Sequence, residues 1–414
     1  MNQLFFIFLL VLFSLVTLSC SHDTVVNVPV FVGGGKLISA QPIKPQQLQL
    51  LNGVYDVIDG SDQFGKKVVV KRTGKTLSIF TGKNAGLFVF HCGRIDSTLI
   101  FEGYWRYTQG GETGLAQFEI PAENNGKPLL QGILPTPSFF FQGTIGNGSA
   151  EPTINITLQY NSPLKDTTFV ILAHRGGGRN SDRLPESENS LGMIQLAESF
   201  GANGIEIDVR LTKDGIPILF HDENFSPRLV NGDYCVGPVS NYTFTAIRTL
   251  CTLKNKELVP TLKEALEVVV NKTTLTYVWL DIKSPEAIAS AAALQQEYQK
   301  KAFAAGRKLD IYIGLSNDEL VDRYKKENMV SSADALCELS MEDVRAVNAK
   351  VWAPRWTLGP LGSNAQAMHS ENRKIFVWTL DQREFILPFL TKGNIDGILT
   401  NYPALIAFEY YVFQ

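Results

Sequence analysis

Between Leu51 and about residue 163, short apolar runs recur at close intervals. They are Lys67–Lys71, Thr76–Phe80, Leu87–His91, Leu99–Tyr107, Leu115–Ile120, Phe139–Gly143 and Ile154–Tyr160. β-branched and aromatic residues dominate them, Gly, Asn and Lys turns separate them, and no helical periodicity intervenes. This pattern predicts an antiparallel sandwich or small barrel, an all-β accessory domain over residues 49–163. The aromatics Phe101, Tyr104, Trp105 and Tyr107 read first as core and only second as a ligand surface. His91 and Cys92 are adjacent, so a strand turns them to opposite faces and they make a poor joint metal site.

Beyond residue 164 the pattern changes to strands alternating with helices. Apolar strands are expected at Phe169–His174, Gly204–Arg210, Ile216–His221, Thr276–Ile282, Asp310–Leu315, Lys374–Leu380 and Asp396–Thr400. One more is expected at either Ala333–Cys337 or Lys350–Ala353. Helical spacing appears at Ser190–Phe200, Thr261–Val270 and Pro285–Ala305, the last with Pro at its start. Eight buried strands with helices between most of them predict a (β/α)8 TIM barrel over residues 164–414, in the α/β class. An open doubly wound sheet is the alternative. No G-x-G-x-x-G turn follows the first strand, which counts against dinucleotide binding.

The N-terminus carries a separate signal. Leu4 to Leu18 is a nearly unbroken apolar run of fifteen residues, short of the ~20 that a spanning helix needs. Its length suits a signal peptide over residues 1–20, although no Lys or Arg precedes it. The run ends in Leu18-Ser19-Cys20, which resembles the lipobox of bacterial lipoproteins, with Thr17 where Leu is usual. The expectation is an exported chain, a periplasmic or cell-surface lipoprotein held to the membrane by lipid on Cys20. A plainly secreted protein is the alternative. Residues 21–48, with Gly33-Gly34-Gly35, Pro42 and Pro45, read as a linker.

Composition narrows the function. The 414 residues exceed one ordinary domain, and 44% hydrophobic against 19% charged residues allow a full core. A net charge of −3 argues against a nucleic-acid partner. The five cysteines include no CxxC pair, which argues against a zinc ribbon or redox dithiol. Cys235 and Cys251 flank one loop-rich stretch, where a disulfide and two free thiols are both open readings.

The chemistry lies in where polar residues fall. A TIM barrel gathers its reactive groups at the C-terminal ends of its strands. His174 and Arg175 end the first expected strand, Glu206 and Asp208 sit late in the second, His221 and Asp222 end the third, Asp281 and Lys283 end the fourth, and Trp378 sits late in the seventh. Residues two apart on a strand share a face. Glu206 and Asp208 therefore point into the barrel together, opposite Ile205, Ile207 and Val209. Clustered carboxylates repel unless protonated or neutralised by cations. Arg175 and Lys283 supply part of that charge and a divalent ion the rest. All-oxygen ligands favour Mg²⁺ or Ca²⁺ over Zn²⁺. Two histidines can shuttle protons to and from a phosphodiester. No Gly-x-Ser-x-Gly and no P-loop is present.

The same residues resemble the glycerophosphodiester phosphodiesterase family across Phe169–Pro403. The resemblance runs through Ala173-His174-Arg175-Gly176, Glu188-Asn189-Ser190, the block from Gly204 to Gly215, His221-Asp222, Val259-Pro260-Thr261-Leu262, Asp281-Ile282-Lys283, Val377-Trp378-Thr379 and Asp396-Gly397 to Pro403. It implies a TIM barrel, with His174 and His221 as general acid and base. It implies Glu206, Asp208 and Asp281 as ligands of one divalent cation. Arg175, Lys283, Asn189 and Trp378 fall at substrate- and phosphate-binding positions. The implied reaction splits a small glycerophosphodiester into glycerol 3-phosphate and an alcohol, by way of a cyclic phosphate formed by a substrate hydroxyl. Three departures stand out. Asp281 replaces the usual Glu, the stretch between Gly176 and Glu188 is longer than usual, and Ser190 replaces Thr.

Two alternatives compete. A phospholipase C- or D-like lipid phosphodiesterase would expose an apolar rim, and no Lys-rich amphipathic helix with aromatic anchors is visible. An inactive, surface-tethered binding protein would be expected to lack a histidine or an acid of the set.

Overall fold

The computed structural model describes residues 27–165 and 168–413. The apolar leader and Cys20 lie outside the described residues.

The first domain is a closed barrel of eight strands, each paired antiparallel with the next. They are β1 (Gly53–Asp59), β2 (Lys67–Thr73), β3 (Thr76–Thr81), β4 (Gly86–Ile95), β5 (Thr98–Tyr107), β6 (Thr113–Ile120), β7 (Phe140–Ile145) and β8 (Ile154–Ser162). Pairing of β1 with β8 closes it, so no strand edge is left open. The sequence reading misses β1, because a Gly and two acids break its apolar alternation. Phe64, Phe88, Phe90, Phe101, Trp105, Phe118 and Phe141 fill the interior as one packed core. Tyr104 alone of the flagged aromatics lies outside that core, packed against the apolar cluster that the two barrels share. At Gly103 a Cβ would stand 1.9 Å from the Val89 carbonyl oxygen, so only glycine allows β5 and β4 to approach so closely.

The sequence predicts a linker over residues 21–48, but its described part is folded onto the barrel. The backbone N–H groups of Lys36 and Leu37 donate to the Glu102 carboxylate at 3.0 and 3.2 Å. Gln41 and Arg94 exchange backbone hydrogen bonds, and Ile43 and Leu48 are buried in the barrel core. Apolar residues beside the prolines, Ile43 between Pro42 and Pro45 and Leu48 just after them, explain the difference.

The second domain is the expected TIM barrel. Its parallel strands, in chain order, are Val170–Ala173, Gly204–Leu211, Tyr277–Ile282, Asp310–Leu315, Ala335–Cys337, Val351–Trp352, Lys374–Val377 and Gly397–Thr400. The first pairs with both the second and the eighth and closes the ring. Both weak candidates are barrel strands, whereas Ile216–His221 is not one. Its core, Pro217–Leu219, pairs antiparallel with Gly204–Leu211, Leu219 opposite Val209. The turn Thr212–Gly215 is far too short for the crossover of a dozen or more residues that a parallel neighbour requires. Side chains alternate as expected. Ile205, Ile207 and Val209 face the helices, while Leu172, Trp279, Tyr312 and Phe376 fill the barrel.

Helix starts follow side-chain chemistry. Ser190 and Thr261 accept backbone N–H bonds as N-caps of Leu191–Leu196 and Leu262–Lys272. Between the hairpin and Leu262 a loop-rich insertion packs its own small core around Phe225, Val230 and Leu253. A Cys235–Cys251 disulfide ties it.

The two barrels share one apolar layer. Val69, Phe80, Leu87 and Val89 point out of the first barrel into the core of the second. Their neighbours Val68, Val70, Phe88 and Phe90 point inward. Both faces of these strands are buried, which is why Val68-Val69-Val70 and Leu87-Phe88-Val89-Phe90 read as unbroken apolar runs. Truncation of Phe80 to Ala should therefore destabilise both barrels together, by about 3–5 kcal/mol. Scanning calorimetry should show one shifted transition. Two separate transitions, with only the first shifted, would show that the layer is not shared.

Candidate active site

The site forms where strands end at one mouth of the TIM barrel. Asp208 and Asp281 are register partners on adjacent strands, and Glu206 lies two residues earlier on the same face. One oxygen from each of the three lies within 4.8 Å of the others. Glu206 Oε1, Asp208 Oδ1 and Asp281 Oδ1 are buried without a hydrogen-bond donor. Orphaned oxygens on three converging acids fit a hard divalent cation. The three acids expected to act as ligands are thus brought together.

Neighbouring groups temper the repulsion unequally. Burial, reinforced by Asp208 and Asp281, pushes the Glu206 carboxyl well above the ordinary carboxylate range. Burial acts on Asp208 too, but Lys283, His221 and Arg175 outweigh it and hold that carboxyl low. Asp281 is raised, burial outweighing Lys283. Lys283 Nζ donates to Asp281 Oδ2 at 2.6 Å and lies 3.3 Å from Asp208 Oδ1.

Arg175 follows the first strand in the left-handed region, at φ 52°. That unusual backbone aims its N–H at Glu206 Oε2, 2.8 Å away. Its guanidinium donates to Glu188 Oε1 at 2.6 Å. Asn189 is tied to the second acid. Its Nδ2 donates to Asp208 Oδ2 at 2.7 Å and its Oδ1 accepts from the Asp208 backbone N–H at 3.1 Å. These two bonds orient Asp208. Trp378 donates Nε1–H to the Ala353 carbonyl at 2.7 Å, with the Arg355 guanidinium 4.8 Å from its ring centre.

The two histidines have different partners. Asn401 donates Nδ2–H to Asp381 Oδ2 at 2.6 Å and backbone N–H to Asp381 Oδ1 at 2.8 Å. That fixes the amide, so Asn401 Oδ1 faces His174 Nδ1 at 2.7 Å and must accept its proton. His174 Nε2 is left bare, 3.8 Å from Glu206 Oε2. Burial, helped by Arg175, pushes the ring down to about 4, so it is neutral near pH 7. His221 is delivered by the antiparallel hairpin, its carbonyl accepting from Arg210 Nε at 3.0 Å. Its Nδ1 meets Asp222 Oδ1 at 2.7 Å, and Arg228 donates to the same oxygen at 2.7 Å.

Several residues with a place here carried no role in the sequence reading: Glu188, Asp381, Asn401, Arg228 and Glu338. Asn401 and Glu338 directly follow barrel strands, so the strand-end rule would have found both. Burial, reinforced by Asp281, pushes the Glu338 carboxyl up to about 8.

The raised Glu206 carboxyl has a consequence for cation binding. A proton held by the cation-free acids must leave when the cation enters, so affinity should rise with pH and binding should release protons. Titration calorimetry with Ca²⁺ or Mg²⁺, in buffers of different ionisation heat, should read both effects. Affinity independent of pH, with no proton released, would contradict the arrangement.

Comparison with known proteins places this mouth in a lineage. Residues 174–405 match the model of the glycerophosphoryl diester phosphodiesterase family. A glycerophosphodiester phosphodiesterase of Caldanaerobacter subterraneus is 28% identical over 245 residues, 56% of this chain and 94% of the relative. Glycerophosphodiester phosphodiesterase 1 of Homo sapiens is 35% identical over 137 residues, 31% of this chain and 38% of that one. A solved phosphodiesterase of Oleispira antarctica, in complex with sn-glycerol 3-phosphate, aligns with a TM-score of 0.45 at 21% identity. That alignment covers 57% of this chain and 94% of the other. The family match takes in more than half of the residues and both histidines, and the chain belongs to the glycerophosphoryl diester phosphodiesterase family.

Proposed function

We propose that the chain hydrolyses small glycerophosphodiesters to glycerol 3-phosphate and an alcohol, with His174 as the first base and His221 as the first acid. The observation that carries this reading is the convergence at one barrel mouth of two separately oriented histidines, three acids with orphaned oxygens, and the cations Arg175 and Lys283. Glu206, Asp208 and Asp281 would hold one Ca²⁺ or Mg²⁺ ion, whose charge would neutralise phosphate oxygens. Arg175 and Lys283 bind the remaining phosphate charge.

His174 begins neutral, with Nε2 free to accept a proton, and Asn401 supports the positive charge the ring then acquires. Asp222 is the partner that a protonated His221 needs. In the first half-reaction a hydroxyl of the substrate glycerol attacks phosphorus and loses its proton to His174. The bond to the leaving alcohol breaks, and His221 protonates the departing oxygen. In the second half, water opens the cyclic phosphate. His221 takes the water proton and His174 returns its own, so both rings regain their starting state.

The apolar leader and the Cys235–Cys251 disulfide support a place outside the cytoplasm, with Cys20 as the proposed lipid attachment.

His174→Ala and His221→Ala should each reduce turnover of glycerophosphocholine or glycerophosphoethanolamine by about a hundredfold or more, with unchanged circular dichroism. A near-normal rate in either would remove its proton-transfer role. Chelation should stop wild-type turnover, with Ca²⁺ or Mg²⁺ restoring it. Activity indifferent to a chelator would count against the three-acid site.

A further inference from the structure

The matched family domain begins at His174, so the first barrel has no assigned part in the chemistry. Its Arg106, on β5, gives it one. Arg106 is only 1% exposed. Its guanidinium crosses from the first barrel and donates to the backbone carbonyls of Arg183 at 2.8 Å and Asp182 at 3.4 Å. Its Nε and the second terminal nitrogen have no partner. A buried, half-satisfied cation is a poor way to glue two domains, because an apolar side chain of similar size would be less costly there. The adhesion already comes from Phe80, Val69, Leu87 and Val89. The two bonds that Arg106 does make fall on residues 179–183, within the stretch that is longer than the family pattern.

That segment is wired to both halves of the site through Asn180. The Asn180 backbone N–H donates to Glu188 Oε2 at 2.8 Å, and its Oδ1 accepts from the Glu188 backbone N–H at 2.9 Å. Glu188 in turn holds the Arg175 guanidinium. Asn180 Nδ2 donates to the Arg228 carbonyl at 3.1 Å, and Arg228 grips Asp222, the partner of His221. On the segment itself Arg179 clasps Asp182 through two hydrogen bonds, and Tyr402 donates to Asp182 at 3.0 Å. On its outer side the segment faces a cleft of about 1160 Å³ between the barrels. Gln109 reaches over the same cleft to the backbone carbonyl of Asp381 at 2.9 Å, the residue whose carboxylate fixes Asn401.

We propose that the first barrel is part of the catalytic apparatus and that Arg106 is a positioning residue, holding segment 179–183 so that Asn180 fixes the Glu188–Arg175 and Arg228–Asp222–His221 chains. This rests on the phosphodiesterase reading above.

The test uses the full-length chain, releasing glycerol 3-phosphate from glycerophosphocholine with cation present. Arg106→Met should keep or raise the melting temperature yet lower kcat about tenfold or more, with a smaller change in KM. It should also alter the pH–rate profile, because His221 loses its fixed partner. Arg106→Lys keeps the charge but not the planar fork, and should fall between the two. Asn180→Ala should lower kcat similarly, and adding Arg106→Met to it should cause little further loss, as for two links of one chain. Wild-type kcat and pH profile in whichever Arg106 variant folds would overturn the proposal, as would full additivity with Asn180→Ala. An inactive wild-type chain would sink the functional reading and this inference with it. An active wild type with unaltered variants would sink this inference alone.

Discussion

Three carboxylates are forced together at a barrel mouth where two are fully buried and the third, Asp281, is only partly exposed. Every other feature of the barrel mouth answers that constraint. Asp208 and Asp281 are neighbours by strand register, and Glu206 shares their face by the two-residue repeat of a strand. Burial alone would drive all three to bind protons. Lys283 sets its ammonium beside two of them, Arg175 offers a backbone N–H to the third, and Asn189 clamps Asp208, yet only Asp208 is held low while Glu206 and Asp281 stay raised. The oxygens left over are those a hard cation would take. The site is a negative well, partly filled by side chains and shaped for one more charge.

Around the well, orientation is set from outside it. Each histidine is turned by a residue that is itself held by another: Asp381 fixes Asn401, and Arg228 fixes Asp222. Such outer partners decide the tautomer and ring angle as firmly as direct contacts do. They arrive from loops, and loops need support. The first barrel meets the second along an apolar layer and lays Arg106 and Gln109 against two of those loops. The accessory domain is thus a neighbour of the chemistry in space, although it lies far from it in sequence.

Much of this was legible from spacing. The pair Glu206 and Asp208, alternating with Ile205, Ile207 and Val209, could face only one way in a strand buried on both sides. Asp281 and Lys283 repeat the pattern. The barrel itself was readable from its alternating pattern, but not the membership of every strand. Ala335–Cys337 and Val351–Trp352 are too short to announce themselves. Ile216–His221 looks like a barrel strand because its apolar run is buried, and only the length of the preceding turn betrays the hairpin. Asn189 was assigned to the phosphate by its motif, and only three-dimensional proximity shows its amide engaged with Asp208. Arg106 was invisible for another reason. One arginine on a β strand usually lies in solvent, and at that end of β5, unlike β2 and β4, no unbroken apolar run marks a covered outer face.

The hairpin has a consequence of its own. His174 directly follows a stave of the ring that is paired on both sides, whereas His221 follows a short strand outside the ring, paired with one stave and bridged to Pro260 and Thr261, that leads into a cystine-tied excursion. The seat of His174 therefore belongs to the ring itself, and that of His221 to a part added outside it. Descendants of this chain could lengthen or reshape that excursion, and with it the surroundings of His221, while the seat of His174 stays as it is.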